Sequence, residues 1–327
     1  MSSLAIRRAF VTGGAGFIGS HIVDRLAEQG ADVTIYDNFS TGQQQYIRHH
    51  AENPKVKVVC ADVRDLGRVI DEMAGCDFVF HLQANADVRG GMQRTRLDLE
   101  QNTMTTWNVL EAMRINEVQR ITFASSATVY GEPTVFPTPE SYAPLQTSLY
   151  GASKLAGEAM IQAYSEYFGI SCYIFRFVSW IGARYTHGVI FDFVRKLRLN
   201  PRVLEILGDG NQRKSYLDVS DGVAGIFYAI RHARERKNIF NLGHDESMNV
   251  LDLADIVVQE LGLEAVDYRT TGGERGWPGD APFVHLDTAR LKSLGWQPQV
   301  SIEQGIRNTV RYLEEHPAVL ETRACAA

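Results

Sequence analysis

Short apolar runs alternate with longer amphipathic segments along the first half of the chain. Such runs are typical of strands buried on both faces of a parallel sheet, and apolar residues three or four positions apart are typical of helices that cover it. The predicted strands cover residues 9–12, 32–36, 56–60, 78–82, 120–124 and 170–177. The predicted helices between them include residues 65–73, 97–113 and 148–168. This alternation predicts an α/β fold with a Rossmann-type, doubly wound parallel sheet.

The alternation changes beyond residue 177, where shorter strands and helices follow in a less regular order. Residues 238–242 are predicted as a seventh strand of the main sheet. We therefore predict a dinucleotide-binding domain of residues 1–177 together with 213–242. A smaller C-terminal α/β lobe, which binds the substrate, is predicted for residues 178–212 and 243–316. Residues 317–327 are predicted to be a frayed tail.

A glycine-rich turn follows the first predicted strand. Gly13, Gly16 and Gly19 precede a helical pattern, so strand, turn and helix occur in the order that binds a dinucleotide. Glycines let the backbone approach a pyrophosphate, and the first N–H groups of the helix attract its charge. Asp37 ends the second strand about 20 residues further on, where a carboxylate binds the adenosine ribose. An acid there repels a 2′-phosphate, so the predicted cofactor is NAD rather than NADP.

A tyrosine and a lysine lie four positions apart at the start of the predicted helix 148–168. Tyr150 and Lys154 therefore share one helix face. An ammonium beside a phenol favours the phenolate, which makes Tyr150 a candidate base for a substrate hydroxyl; a solvated helix face is the other interpretation. The Ser/Thr-rich residues 125–131 either hydrogen-bond a sugar hydroxyl or only cap a loop. His81 is interpreted as a satisfied core histidine.

Composition and charge argue against several other classes of function. The 327 residues are 45% hydrophobic and carry a net charge of −6 without a basic block, which argues against nucleic acid as a partner. No signal peptide is recognised, and no apolar run reaches the ~18 residues of a membrane helix. Cys60, Cys76 and Cys172 lie in or beside apolar runs, so buried thiols and a reducing cytoplasmic location are expected. His49 and His50 have no evident third ligand, so no metal site is expected.

Several motifs resemble those of the extended short-chain dehydrogenase/reductases, and within them the nucleotide-sugar epimerases. The resemblance is strongest to UDP-glucose (UDP-galactose) 4-epimerases of the shorter bacterial and archaeal type, and it covers nearly the whole chain. The motifs are residues 12–21 (TGGAGFIGSH), 36–38 (YDN), 81–89 (HLQANADVR), 125–131 (SSATVYG), 150–154 (YGASK) and 212–216 (QRKSY). The resemblance implies NAD, a nucleotide-diphosphate sugar as substrate, and a homodimer formed through helices 97–113 and 148–168.

The resemblance also implies a role for each motif. Ser126 is expected to hydrogen-bond the sugar 4-hydroxyl, Tyr150 to act as the general base, and Lys154 to lower the pKa of Tyr150. Asn102 is expected to support them through a proton and water network. The implied cofactor contacts are Gly13, Gly16, Phe17, Ile18, Gly19, Asp37, Asn38, Asp62, Val63, Leu82, Ala84, Asn85, Ser125, Tyr150 and Lys154. The implied substrate contacts are Ser126, Ser179, His187, Val189, Arg213, Lys214 and Arg275.

The implied reaction is epimerisation at C4 of the sugar. Tyr150 removes the 4-hydroxyl proton while the C4 hydride passes to NAD, the 4-keto sugar turns over, and the hydride returns to the other face. Ala127 and Thr128 stand where related 4,6-dehydratases carry Asp-Glu, and uronate decarboxylases also carry Glu at the position of Thr128, so neither reaction is favoured. Ser179 replaces a usual Asn, and Trp180 is expected to add bulk beside it; both differences favour a specialised sugar.

Other functions stay open. The substrate can be a uronate, a deoxysugar or a heptose, or the same site can act as a dehydratase or a net reductase. A non-catalytic NAD-binding protein is a further alternative.

Overall fold

The structure, a computed structural model, describes residues 5–85 and 87–321. The strands are β1 (Arg8–Thr12), β2 (Asp32–Asp37), β3 (Val56–Cys60), β4 (Phe78–His81), β5 (Arg120–Ser126), β6 (Ser171–Phe177), β7 (Ser179–Ile181), β8 (Val203–Ile206), β9 (Arg213–Lys214), β10 (Tyr216–Asp218), β11 (Lys237–Leu242), β12 (Met248–Asn249), β13 (Asp267–Thr270) and β14 (Phe283–Val284). The helices are α1 (Phe17–Glu28), α2 (Leu66–Met73), α3 (Thr105–Ile115), α4 (Leu149–Phe168), α5 (Val189–Leu199), α6 (Val219–His232), α7 (Val250–Glu260), α8 (Ala289–Lys292), α9 (Ile302–Glu315) and α10 (Ala318–Glu321).

One parallel sheet contains seven of these strands in the order β11-β6-β5-β4-β1-β2-β3. The chain runs outward from β1 through β2 and β3, and then outward on the other side from β4 to β6. The last strand, β11, adds to β6 in parallel. All carboxyl ends therefore meet at one edge, and ligands of such sheets bind where the strand order reverses, between β1 and β4. The predicted α/β fold is confirmed.

Helices cover both faces of the sheet. On one face, α2, α3 and α4 bury Val69, Val109 and Ile161 completely. On the other, α1 and α6 bury Ile22 and Ile226 completely. Each such aliphatic side chain stabilises the fold by roughly 1.5–3 kcal/mol relative to exposure. Within the described residues, no helix combines the length and the apolar character needed to cross a membrane.

Smaller sheets occur in the second half of the chain. β7 pairs with β10, β9 pairs with β12 and β14, and β8 pairs with β13. The first residues of the segment 213–242, predicted to belong to the dinucleotide-binding domain, thus hydrogen-bond to strands of the predicted lobe. The division into two domains stays a prediction.

The predicted helix 97–113 is helical over its whole length, but its first half is not α-helical throughout. A π-helical turn at Leu99–Met104 precedes α3 directly. A π turn contains an extra residue, which changes the direction of the side chains around it, and such turns are frequent at functional sites. Asn102 lies within the turn and is buried.

The structure also differs from the expected burial of Cys60 and from the expected fraying of residues 318–321. Cys60 is exposed, because it ends β3 at the edge of the sheet, whereas Cys172 is buried as expected. Residues 318–321 form α10 with Val319 and Leu320 buried, so this part of the predicted frayed tail is ordered. Residues 322–327 lie outside the described residues.

Candidate active site

The turn between β1 and α1 can be formed only with glycine at key positions. Gly13 has a φ of +70°, and a Cβ at Gly19 would lie 2.0 Å from the carbonyl oxygen of Gly13. Gly16 is the N-cap of α1, and no described side chain caps the N–H groups of the first helical turn. Phe17 and Ile18 begin the helix. N–H groups without side-chain partners at a helix start suit a phosphate, so the turn fits the pyrophosphate of NAD.

Phe17 also contacts the second half of the chain. Its ring meets the ring of Tyr185 edge to face, with 5.6 Å between ring centres. The glycine turn is therefore packed directly against the segment that follows β7.

Acidic side chains follow β2 and β3 beside this turn. Asp37 accepts hydrogen bonds from the N–H groups of Ala15 at 3.0 Å and Phe39 at 2.8 Å. Burial raises the pKa of Asp37, and the two N–H groups oppose this shift. Asn38 Nδ2 donates to Asp62 Oδ2 at 3.0 Å. The structure thus brings together the residues predicted to contact the adenosine.

The pKa of Asp62 is held at about 2, first by its hydrogen bonds with the Arg64 side chain. Val63, next to it, is buried, and its carbonyl accepts a hydrogen bond from Asn108 Nδ2 at 2.8 Å.

His81 ends β4 in the protein interior. Its Nδ1 and Nε2 lie 2.8 Å and 3.0 Å from the hydroxyl oxygens of Thr12 and Thr106. Burial lowers the pKa of His81 to about 3. The interpretation of His81 as a satisfied core histidine is confirmed. Leu82 and Ala84 follow it at the carboxyl edge, half-buried.

Ser126, Tyr150 and Lys154 come together where β5 ends and α4 begins. Ser148 caps α4 by accepting the Gly151 N–H at 3.0 Å, which fixes the start of the helix. The Ser126 side chain lies close enough to the Tyr150 hydroxyl to lower the pKa of Tyr150. The Lys154 Nζ lies 5.8 Å from the centre of the Tyr150 ring.

Burial decides the pKa values of this group. It raises the pKa of Tyr150, the negative charge of Asp98 raises it further, and the hydrogen bond to Ser126 lowers it only partly. Burial lowers the pKa of Lys154 to about 8. The net shift of the Tyr150 pKa is upward because burial and Asp98 outweigh the hydrogen bond to Ser126, and the expected lowering by Lys154 stays a prediction. The ammonium is directed at the Ala124 carbonyl, at 2.7 Å.

The buried carboxylate of Asp98 was not found by sequence analysis. Its Oδ1 accepts from Asn85 Nδ2 at 2.9 Å and from Asn102 Nδ2 at 3.1 Å. Asn102 also donates to the Ser153 hydroxyl in α4 at 2.9 Å. Among the described residues, Asp98 Oδ2 is buried without a hydrogen-bond partner. The only sequence signal was its position one helical turn before Asn102.

A buried ion pair supports the same helix. Glu158 and Arg176 lie 2.7 Å apart, with side chains 0% and 6% exposed. The Ser125 hydroxyl donates to Glu158 at 2.5 Å, and an Arg176 nitrogen donates to the Tyr130 hydroxyl at 2.9 Å. The hydroxyl of Ser125, a predicted cofactor contact, is thus directed at Glu158.

A cavity of about 200 Å³ is lined by residues of β7, α5, β9 and loop 271–282. Three predicted substrate contacts line it: Ser179, Val189 and Lys214. Its wall also includes Arg89, Tyr185, Gln212, Trp277 and Asp280, which were not predicted. Loop 271–282, which contributes Trp277, reaches the start of α4, since a Cβ at Gly279 would lie 2.9 Å from the Thr147 carbonyl oxygen.

The wall of this cavity carries two basic and two acidic side chains and suits a polar ligand. Lys214 Nζ pairs with Asp280 at 2.5 Å and lies 4.9 Å from the centre of the Trp277 ring, and the Arg89 guanidinium lies 5.4 Å from the same ring. Gln212 Oε1 and Trp277 Nε1 are buried without a partner among the described residues. Buried polar atoms of this kind normally have a hydrogen-bond partner, and a bound ligand can provide one.

Three other predicted substrate contacts do not line the cavity. Arg213 donates to the Ser247 hydroxyl at 2.9 Å, and Arg275 pairs with Glu132 at 2.6 Å. His187 lies next to the cavity wall, with its ring stacked 6.1 Å from Tyr185.

Trp180 also lies elsewhere than expected. Its ring packs 4.3 Å from Phe177 in the interior, against Gly222, and it therefore adds no bulk beside Ser179.

Sequence signals existed for two of the missed residues. Arg89 belongs to the motif at 81–89, although no role was inferred for it. Trp277 is an aromatic residue in a Gly/Pro-rich loop, and loops carry many binding residues.

Comparisons with known proteins show the family of the chain. Residues 9–243 match the model of the NAD dependent epimerase/dehydratase family. A candidate UDP-glucose 4-epimerase of Methanocaldococcus jannaschii is 36% identical over 316 residues, which cover 94% of this chain and 98% of the relative. A crystal structure of a UDP-galactose 4-epimerase is 38% identical, with a TM-score of 0.84 over 94% of this chain and 99% of the other.

A third similar protein has a different activity. The structure of a dTDP-glucose 4,6-dehydratase double mutant from Streptomyces venezuelae, with NAD bound, is 26% identical and has a TM-score of 0.88 over 95% of this chain and 98% of the other. The family match covers more than half of the chain. The protein therefore belongs to the NAD-dependent epimerase/dehydratase family, enzymes of the extended short-chain dehydrogenase/reductase type with NAD as cofactor.

Proposed function

We propose that the protein is a 4-epimerase of a nucleotide-diphosphate sugar of the UDP-glucose/UDP-galactose type. The observation that carries this proposal is the meeting of Ser126, Tyr150 and Lys154 at the carboxyl edge of the sheet, next to a glycine turn that fits NAD. The sugar type is supported by the UDP-glucose and UDP-galactose named for two similar proteins.

Tyr150 is the group that exchanges a proton with the sugar hydroxyl. Ser126, beside the phenol, holds the sugar hydroxyl within reach of Tyr150, and the buried Lys154 ammonium favours the phenolate as it forms. Asn102 ties the π-helical turn to α4 through Ser153 and so keeps Tyr150 in place. NAD, when bound, accepts a hydride from the sugar and returns it. Because the reaction has no net redox change, the chain mainly binds and orients its ligands.

Dehydration is less well supported than epimerisation. Elimination of the C6 hydroxyl requires a proton donor and a base beside the sugar. The residues that follow Ser126 are Ala127 and Thr128, and neither side chain is an acid or base at neutral pH. Similarity to a 4,6-dehydratase therefore supports the fold and the cofactor, while these two positions favour epimerisation.

The protein is also proposed to be a homodimer. Large apolar side chains on the π-helical turn, α3 and the start of α4 are exposed, namely Leu99 (51%), Met104 (53%), Trp107 (44%) and Leu149 (44%). Clusters of exposed apolar side chains mark protein interfaces.

A panel of nucleotide sugars tests the proposed activity. Untagged protein is incubated with UDP- and dTDP-linked hexoses, N-acetylhexosamines and uronates, and the products are identified by NMR. We expect interconversion of one C4 pair without net formation of NADH, loss of turnover in Tyr150→Phe, and full turnover in Tyr167→Phe, an exposed tyrosine of the same helix. If no C4 pair is interconverted, or if Tyr150→Phe is fully active, the proposal is wrong.

A further inference from the structure

Two histidines and an aspartate converge outside the active site. Asp24 lies on α1, and His49 and His50 lie on the short 3₁₀ helix Arg48–His50. The Nε2 atoms of His49 and His50 lie 2.8 Å and 2.7 Å from the same atom, Asp24 Oδ1. The three potential ligand atoms all lie within 4.8 Å of one another. The third group that sequence analysis did not find is thus supplied by a different helix.

The two imidazole rings lie side by side at the carboxylate. Both point at Asp24 Oδ1, with 4.0 Å between their centres, so two nitrogens and one oxygen already face one point. Their side chains are 47% exposed at His49 and 11% at His50, and Asp24 is 22% exposed. The point where the three groups meet is therefore partly enclosed and open to solvent on the His49 side.

Arg184 fixes the orientation of the carboxylate. An Arg184 nitrogen pairs with Asp24 Oδ2 at 2.8 Å, which leaves Oδ1 for the histidines. The carboxylate is thus held in place, as metal-ligating carboxylates generally are by hydrogen bonds from groups behind them.

We propose that Asp24, His49 and His50 form a binding site for a divalent transition-metal ion of the Zn²⁺ and Co²⁺ class. Two imidazole nitrogens and one carboxylate oxygen are ligands that these ions prefer, and a water molecule can complete a tetrahedral site. With ligand bonds of about 2.0–2.1 Å, the ligand atoms need to separate to roughly 3.3 Å. This requires small movements of both His49 and His50 away from Asp24 Oδ1, which lies 2.8 Å and 2.7 Å from their Nε2 atoms.

The site would connect α1 to the cavity wall. The ion would join α1 to the segment at residues 48–50, and Asp24 already pairs with Arg184 in the segment that includes Tyr185 and Gly188. Because the Arg184 charge lies close by and repels a cation, we expect micromolar rather than nanomolar affinity.

Cobalt titration tests the site without an activity assay. Untagged, EDTA-treated protein is titrated with Co²⁺ and followed by its visible absorption, and Zn²⁺ is then added as competitor. We expect one saturable, Zn²⁺-displaceable site per chain. His49→Gln and His50→Gln are each expected to weaken binding more than about tenfold. His316→Gln, a change at an exposed histidine of another segment, is expected to leave binding unchanged.

Circular dichroism confirms that each variant is folded. If the wild type shows no saturable binding, or if His49→Gln and His50→Gln both bind Co²⁺ as tightly as the wild type, the proposed site does not exist.

Discussion

The Lys154 ammonium lies 5.8 Å from the centre of the Tyr150 ring and donates its hydrogen bond to the Ala124 carbonyl. The side chain is 3% exposed, and burial lowers its pKa to about 8. Since an unfolded lysine has a pKa of about 10.4, the unfolded chain binds more protons between these two values. The Lys154 charge therefore destabilises the fold at neutral pH, and this cost diminishes as pH rises from about 8 towards 10.

Replacing Lys154 is thus expected to lower the activity without lowering the stability of the fold. Lys154→Met removes the charge near the phenol, so turnover should fall at least about 100-fold. The same change removes the cost of burying the ammonium, so the urea midpoint should stay unchanged or rise. Lys237→Met, at the surface, should alter neither. A clear decrease in the urea midpoint of Lys154→Met would contradict the claim that burial of the Lys154 ammonium destabilises the fold.

The negative charge of Asp98 should set the pH range of the reaction. Asp98 raises the pKa of Tyr150, so Asp98→Asn favours the phenolate. The rising limb of the plot of turnover against pH should therefore move to lower pH. Glu100→Gln changes an acid of the same π-helical turn that pairs with Arg96, and should leave the limb in place. A limb that stays fixed or moves to higher pH in Asp98→Asn would show that Asp98 does not act on Tyr150.

The buried pair of Glu158 and Arg176 is expected to be important for stability. Glu158→Gln leaves the Arg176 charge buried without its partner, which should cost about 3–5 kcal/mol in the free energy of unfolding by urea. Glu166→Gln, which affects an exposed ion pair of the same helix, should cost at most about 1 kcal/mol. Equal losses in the two variants would rule out a special role for burial.

The binding of NAD by the glycine turn can be tested by comparing Gly19 in α1 with Gly67 in α2, since both are helical glycines. A Cβ at Gly19 would lie 2.0 Å from the Gly13 carbonyl oxygen, whereas a Cβ at Gly67 would have its nearest neighbour at 3.6 Å. Gly19→Ala should therefore distort the turn and abolish retention of NAD, measured by chromatography of the nucleotide released on denaturation. Gly67→Ala should keep NAD and stabilise α2 by up to about 1 kcal/mol. Retention of NAD by Gly19→Ala would mean that the turn does not bind it.

The proposed dimer should depend on Trp107. Trp107→Glu places a charge among exposed apolar side chains of α3 and should give monomers in light scattering at micromolar concentration. Leu199→Glu, at the 83% exposed end of α5, is the matched control and should not change the mass. A monomeric wild type, or an unchanged mass for Trp107→Glu, would exclude this interface.

The sequence predicted those parts of the molecule that depend on local pattern. Strands buried on both faces are apolar almost throughout, and short apolar runs marked all seven strands of the main sheet, including the largely exposed edge strand β3. The glycine turn and the spacing of Tyr150 and Lys154 are likewise local, because each belongs to one turn or one helix.

Other features depend on contacts between distant segments. The exposure of Cys60 follows from the position of β3 at the sheet edge. The inward position of Asn102 follows from a π-helical turn that hydrophobic periodicity does not reveal. Asp24 meets His49 and His50 only because α1 packs against a later segment. The upward shift in the pKa of Tyr150 depends on its burial and on Asp98, which no spacing rule links to it.

The ion pair of Lys214 and Asp280 has a consequence for the choice of substrate. A ligand that uses the Lys214 charge must compete with a carboxylate already bound to it at 2.5 Å. The diphosphate of a nucleotide sugar carries enough negative charge to compete, and a free hexose carries none. In the proposed enzyme, this ion pair therefore favours binding of sugars that carry a diphosphate over free sugars, before the chemical reaction begins.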